Sequence, residues 1–201
     1  MLASASPRRR ELLENIGLKF SVDPAEIVEM QSHRYKPAGL AKALSLRKAK
    51  AVAPRHADSI IIAADTLGVL DGVILGKPSD AGHARKMLAG LSGRCHSVIT
   101  GFTVIDTATE RAVTRAVETK VYFRKISRAE IAAYVRTGEP LDKAGAYAIQ
   151  GLGALLVERI EGDYYNVIGL PLSALAGVLR RFGITQPSWP QRVTAAHCPA
   201  R

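Results

Sequence analysis

Four stretches of this 201-residue sequence combine residue types that could handle an anionic substrate. Ser4-Ala5-Ser6-Pro7-Arg8-Arg9-Arg10 puts hydroxyls and guanidinium groups at a strand-to-helix junction, where unpaired backbone N–H groups attract anions. The same residues also read as a Ser-Pro helix cap followed by solvated arginines. Asp65-Thr66 follows the most apolar run of the chain, so a carboxylate falls at an expected strand end. Carboxylates there often face clefts, where they bind metal or activate water, although a turn aspartate has the same look. Gly76-Lys77-Pro78 holds a lysine between two residues that restrict the loop; a plain surface lysine is the other reading. From Asp142 to Gly151, small residues permit close backbone approach to a ligand, and Gln150 could read a base edge through its paired donor and acceptor. A tight-turn scaffold without a ligand fits that stretch too.

Local patterning predicts the elements that must position these groups. A helix should start at Pro7 and stop at Gly17, with a short strand around Phe20 and Val22 behind it. Residues 24 to 38, among them Glu26, Glu29, His33 and Arg34, are polar and irregular, and a longer helix follows from about 39 to 52. Ser59 to Ala64 is a continuous β-rich apolar run, the mark of a strand covered on both faces, and is expected to stop at Asp65-Thr66. Asp71-Gly72 signals a hairpin turn. Helices are predicted over 81–91, capped by Ser79 or Asp80, and from the capping box Ser127-Arg128-Ala129-Glu130 to about Arg136. Long strands fall near 95–105 and 113–124, another over 154–160, and a closing helix over 171–182. The fold class is α/β with a mixed sheet, lacking the strict βαβ rhythm, the GxGxxG and the Walker A lysine of common nucleotide folds.

Bulk properties narrow the partners. Lys and Arg outnumber Asp and Glu by 28 to 18, a net charge of +10, which favours an anionic ligand. Aromatics make up only 5% and do not interleave with basic runs, so nothing asks for nucleic acid. No apolar run approaches the roughly 20 residues needed to cross a bilayer, no membrane partner is expected, and the N-terminus lacks a signal-peptide layout. Cys95 and Cys198 form no disulfide framework, and His96 beside Cys95 should point to the opposite face of a strand. A cytoplasmic location is the default expectation.

Taken in order, Leu2-Ala3-Ser4-Ala5-Ser6-Pro7-Arg8-Arg9, Ala64-Asp65-Thr66, Gly76-Lys77-Pro78, Leu91-Ser92-Gly93, Asp142-Lys143-Ala144-Gly145-Ala146-Tyr147, Ile149-Gln150-Gly151 and Gly169-Leu170-Pro171-Leu172 resemble the Maf family of nucleotide pyrophosphatases over residues 2 to 182. The resemblance implies a mixed twisted sheet flanked by helices, with two lobes around a deep cleft (Maf/inosine-triphosphatase-like). It implies hydrolysis of the α–β phosphoanhydride of certain nucleoside triphosphates to monophosphate and pyrophosphate, with a divalent metal, Mg2+ or Mn2+. Ser4 and Arg8 then fall on the phosphate-contacting loop, Lys48 on a helix lysine, and Lys77 on a cleft lysine. Asp65 takes the position of water activation or metal binding, Glu29 that of an acidic residue near the metal, and Gln150 that of substrate choice. Arg9 and Arg10 are left as support or surface.

Arg9, Thr66 and Gln150 resemble the branch that prefers dTTP and UTP. The 7-methyl-GTP branch typically has Trp for Arg8, Gln for Thr66, and Ser-Glu for Ile149-Gln150. That branch, a broader activity on modified nucleotides, and a nucleotide-binding regulator of septum formation are the alternatives. Residues 1–183 are expected to form the catalytic domain and 184–201 a flexible tail, with a homodimer as the partner state common in the family. Two departures stand out. A first strand at Met1-Leu2 should lose ladder bonds, or the true start lies upstream. Val28 stands before Glu29 where the family often has Asp, which should weaken metal binding if both acids serve it.

Overall fold

The computed structural model describes residues 1–27 and 35–185. Its centre is an antiparallel sheet built from β1 (Ile60–Leu70), β2 (Val73–Leu75), β3 (Cys95–Asp106), β4 (Ala112–Phe123) and β5 (Val157–Glu161), in the order β2-β1-β3-β4-β5. Leu2 makes parallel bridges to both Val22 and Ile62, which renders the sheet mixed. That single bridge is all that forms of the strand expected around Phe20 and Val22. The opening segment is short, yet it keeps its ladder: the Ala3 N–H donates to the Ile62 carbonyl and the Ile62 N–H to the Met1 carbonyl, both at 2.8 Å.

β1 does not stop at Asp65-Thr66. It carries the pair through its middle, because β3 pairs with every residue from Ile60 to Val69 and satisfies their backbones on that side. The ladder overrides the low strand preference of aspartate. At the far end Asp71 (φ 50) and Gly72 (φ 78) both adopt the positive φ that a two-residue primed turn requires, and β2 returns antiparallel.

Helices cover both faces of the sheet. α1 (Pro7–Asn15) starts at the expected proline, and α2 (Pro37–Val52) starts two residues before its expected position, with Pro37 in its first turn. α3 (Ala81–Leu91) is capped by Asp80, whose carboxylate accepts from the His83 N–H at 2.8 Å. α4 (Arg128–Arg136) opens on the complete capping box of Ser127 and Glu130. The strand expected over 154–160 begins only at Val157, after 3-10 turns over Gly151–Leu156. Glu139 anchors the start of those turns, its carboxylate accepting from the Leu152 and Gly153 N–H groups at 3.1 and 3.0 Å. A five-residue helix, α5 (Tyr164–Ile168), was not legible at that length; α6 (Leu172–Leu179) and a 3-10 turn over Arg180–Phe182 close the fold.

Strand alternation sorts the packing. Even-numbered residues of β1 and β3 (Ile62, Ala64, Phe102, Val104) join Leu12, Leu13, Leu170 and Leu175 in one core. Further along the same face, Val98 joins Leu88, Leu91, Phe123, Ile131 and Val135 in a second. These two cores are the centres of the two lobes. Odd-numbered residues face α2, where Ile61, Ala63 and Ile105 meet Ala49 and Val52. Gly101 belongs to this face, and a Cβ there would lie 2.2 Å from the Ala41 backbone. Its missing side chain lets α2 settle directly on β3.

The 184–201 tail lies outside the described residues from 186 onward, as does Cys198; Ile184 still packs against the first core. No helix among the described residues is long and apolar enough to cross a membrane.

Candidate functional site

A cleft of about 1050 Å3 opens between the lobes. Its position follows from an interruption along one edge of β1. Leu2 pairs with Ile62, and β2 pairs only from Gly68 onward, so among the described residues the edge between them has no strand partner. There Asp65, on the α2 face, and Thr66, on the opposite face, both reach the same space. The cleft is also lined by Ser4 and Arg8 from the start of α1, Lys48 from α2, Lys77 from the loop after β2, and Gln150. Glu29, the other acid expected near a metal, lies outside the described residues.

Asp65 and Gly101 are cross-strand partners, which explains how the carboxylate acquires a cation. Because Gly101 admits α2 closely, Lys48 on that helix forms an ion pair with the Asp65 carboxylate. Both side chains are largely withdrawn from water, at 23% and 15% exposure, so the pair is screened less than a surface one. The other oxygen of Asp65 takes no hydrogen bond from the described residues. No group of three or more His, Cys, Asp or Glu side chains among the described residues is arranged to hold a metal. A magnesium-type ion keeps several waters and needs only one or two protein carboxylates. Asp65 alone fits that modest requirement.

The helix start is held differently from the cap reading. Ser6 occupies the N-cap position of α1 but its side chain makes no capping bond. Instead Arg9 organises the corner: Nε donates to the Gly169 carbonyl at 2.9 Å, one terminal nitrogen to Ser4 Oγ at 3.2 Å and the other to Thr66 Oγ1 at 3.0 Å. Burial pushes its guanidinium down to about 10, a cost offset in part by Asp65 nearby, and it remains charged at neutral pH. Arg9 is thus structural support with three named partners, whereas Arg10 pairs with Glu14 on the surface. Sequence reasoning grouped the two, since nothing in a run of three arginines tells them apart.

Two further features escaped it. Lys143 lines the cleft with only 17% of its side chain exposed and pairs with Asp142. Its loop is tied to the Lys77 loop by a hydrogen bond from the Gly145 N–H to the Gly76 carbonyl at 3.0 Å. The motif containing Lys143 was recognised, but a lysine flanked by Asp and Ala gives no sign of burial. The second is His96, whose Nε2 lies 2.8 Å from the Tyr147 hydroxyl, with Phe123 packed edge-on against both rings. Burial lowers His96 to about 4, so the ring is neutral, and its Nδ1 is buried without a partner among the described residues. Cys95 beside it is exposed, as strand alternation requires.

The cleft therefore offers Arg8, Arg9, Lys48, Lys77 and Lys143 against Asp65 and Asp142. An excess of five cations over two carboxylates suits a polyphosphate, whose charge must be held before any water can attack it.

Comparisons with known proteins agree with this chemistry. A dTTP/UTP pyrophosphatase from Moorella thermoacetica is 52% identical over 185 residues, covering 92% of this chain and 95% of the relative. One from Dictyoglomus turgidum is 50% identical, covering 91% and 95%, and one from Clostridioides difficile is 47% identical, covering 90% and 94%. A solved structure described as a nucleoside-triphosphatase / dITP/XTP pyrophosphatase from Mycobacterium abscessus is 15% identical, covers 90% of this chain and 93% of that chain, and has a TM-score of 0.40, too loose a likeness to weigh. The profile of the Maf-like protein family matches residues 1–182, and with half-identical relatives spanning nearly the whole length, the chain belongs to that family.

Proposed function

We propose that the protein is a nucleoside triphosphate pyrophosphatase that hydrolyses the α–β phosphoanhydride of dTTP and UTP, releasing the monophosphate and pyrophosphate. One observation carries the reading. Ser4, Arg8, Lys48, Asp65, Thr66, Lys77 and Gln150, drawn from five separate stretches of sequence, line a single cleft. The relatives named dTTP/UTP pyrophosphatase supply the substrate.

In this reading Ser4, Arg8, Lys77 and Lys143 bind the phosphates, and charge developing on the leaving pyrophosphate is met by these fixed cations. Asp65 faces the attacking water and accepts its proton as the new P–O bond forms and the bridging bond breaks. Lys48 holds the Asp65 carboxylate in place through their ion pair. Thr66 and Gln150 contact the base. Asp65, with Glu29, would hold a divalent ion, which supplies charge neutralisation on the phosphates when bound. The catalytic domain is taken as residues 1–183, acting in the cytoplasm, with a homodimer compatible with the family.

Purified protein assayed for pyrophosphate release against dTTP, UTP, CTP, dATP and 7-methyl-GTP, with Mg2+ or Mn2+, tests the reading. Asp65→Asn should lower the rate by roughly 10²–10⁴-fold. An intact rate in that variant removes the mechanism. Equal turnover of dTTP, UTP and 7-methyl-GTP removes the pyrimidine preference.

A further inference from the structure

Behind Thr66 lies a chain of hydrogen bonds whose direction can be worked out by counting protons. Thr66 and Thr100 are cross-strand partners, and their hydroxyl oxygens lie 2.9 Å apart. Thr100 is fully buried, and its hydroxyl lies 2.9 Å from the Asn166 carbonyl, which can only accept. The single Thr100 proton is therefore spent on Asn166. Thr66 must then donate to Thr100, while it accepts from Arg9. The alternative outlet for the Thr66 proton, the Gly169 carbonyl at 3.5 Å, also points inward. Either way the hydroxyl that lines the cleft has no proton to offer a ligand and retains one free lone pair.

Ser4 is the mirror case. Its oxygen accepts from the Ser6 N–H at 3.3 Å and from Arg9 at 3.2 Å, which fills both acceptor positions. Its proton remains for the cleft. One buried guanidinium thus leaves Ser4 a donor, suited to a phosphate oxygen, and Thr66 an acceptor.

We propose that Thr100 and Asn166 are positioning residues for base selectivity, which act through Thr66 by fixing its hydroxyl as an acceptor for the imide N3–H of uracil or thymine. The proposal rests on the pyrimidine triphosphatase reading above. Cytosine carries a lone pair at N3, and two acceptors facing each other repel, so the same hydroxyl favours uracil and thymine over cytosine. The far end of the relay is rigid. Asn166 is fully buried; its side-chain oxygen accepts from the Thr100 N–H at 3.2 Å, and its amide donates to the Val98 carbonyl and to Thr119 Oγ1, both at 2.9 Å. Asn166 therefore stays in place when the Thr100 hydroxyl is removed.

The decisive measurement is the ratio of kcat/KM for UTP to that for CTP. Thr100→Val removes the nearer acceptor behind Thr66 while keeping the shape of the side chain; only the Gly169 carbonyl, at the outer limit of bonding at 3.5 Å, is left to compete, so Thr66 can turn its proton to an acceptor in the cleft. The ratio should fall by about tenfold or more, chiefly through faster turnover of CTP, a gain that loose packing cannot produce. Thr100→Ser, which restores the hydroxyl, should restore the ratio. The unsubstituted protein gives an independent check that requires no variant to fold: 3-methyluridine triphosphate lacks the N3 proton and should be hydrolysed roughly ten- to hundredfold more slowly than UTP. An unchanged UTP/CTP ratio in a folded Thr100→Val protein overturns the proposal, as does equal turnover of UTP and its 3-methyl derivative. Pyrophosphate release from UTP persisting in either result leaves the triphosphatase reading standing. Its absence from the unsubstituted protein removes both.

Discussion

Replacing Gly101 with alanine places one methyl group where α2 crosses β3, and the geometry sets the size of the response. The new carbon would lie 2.2 Å from both the carbonyl carbon and oxygen of Ala41 and 2.6 Å from the Lys42 nitrogen. Ordinary contact begins near 3.4 Å, so something must move by about an ångström. All three obstructing atoms are backbone, hence no rotamer change relieves the clash; α2 must lift or the sheet must bend. Overpacking of this kind costs about 1–3 kcal/mol, and a rigid backbone obstacle belongs at the upper end. Lys48 rides on the same helix two turns further on, so the lift also separates it from Asp65. A misplacement of about 1 Å in catalytic groups can cost on the order of 10²-fold in rate. Urea unfolding followed by circular dichroism, beside pyrophosphate release, reads both effects. Gly90→Ala in α3, where a Cβ meets nothing within 4 Å, is the control and should be stabilising by about 0.5–1 kcal/mol. If Gly101→Ala unfolds at the same urea concentration as the unsubstituted protein, the claim that this glycine sets the position of α2 is wrong.

Two further predictions test other parts of the framework. His96 is neutral in the folded protein, with its pKa lowered from 6.5 to about 4 by burial, whereas the unfolded chain takes up a proton near pH 6.5. The stability held above that pH should therefore decline as pH falls from about 6.5 towards 4, by at most about 3 kcal/mol, and His96→Gln should flatten this portion of the stability–pH curve measured by urea titration. Glu139→Ala strips the acceptor from the Leu152 and Gly153 N–H groups and from the Tyr134 hydroxyl at 2.8 Å; a loss of about 1–3 kcal/mol is expected, and calorimetry showing none would mean that water replaces the carboxylate without cost.

What the sequence made legible was local. The capping box at Ser127 and Glu130, the Asp71-Gly72 turn and the proline that opens α1 are short-range agreements between side chain and backbone, and each stands where patterning puts it. The passage of β1 through Asp65-Thr66 was not legible, because the ladder that carries it comes from β3, more than thirty residues away. For the same reason Arg9 could be named only as support or surface. Its partners Thr66 and Gly169 lie 57 and 160 positions along the chain, and no spacing rule reaches that far. His96 and Tyr147, 51 positions apart, are a similar case. The candidate cleft residues were found through ordered motifs; why two adjacent strand residues share one cleft required the gap in the β1 edge.

That gap has a bearing on how the site can change over generations. Asp65 and Thr66 are neighbours in the chain, yet their bonded partners differ: Asp65 pairs with Lys48 of α2, while Thr66 bonds Arg9 and, through Thr100, meets Asn166. Under the roles proposed above, a substitution beneath Thr66 would alter which base is welcomed while leaving the Lys48–Asp65 pair in place. On that proposal the strand would keep base choice and hydrolysis adjacent in space but adjustable through different neighbours, an arrangement from which new substrates can be acquired while the hydrolytic chemistry stays put.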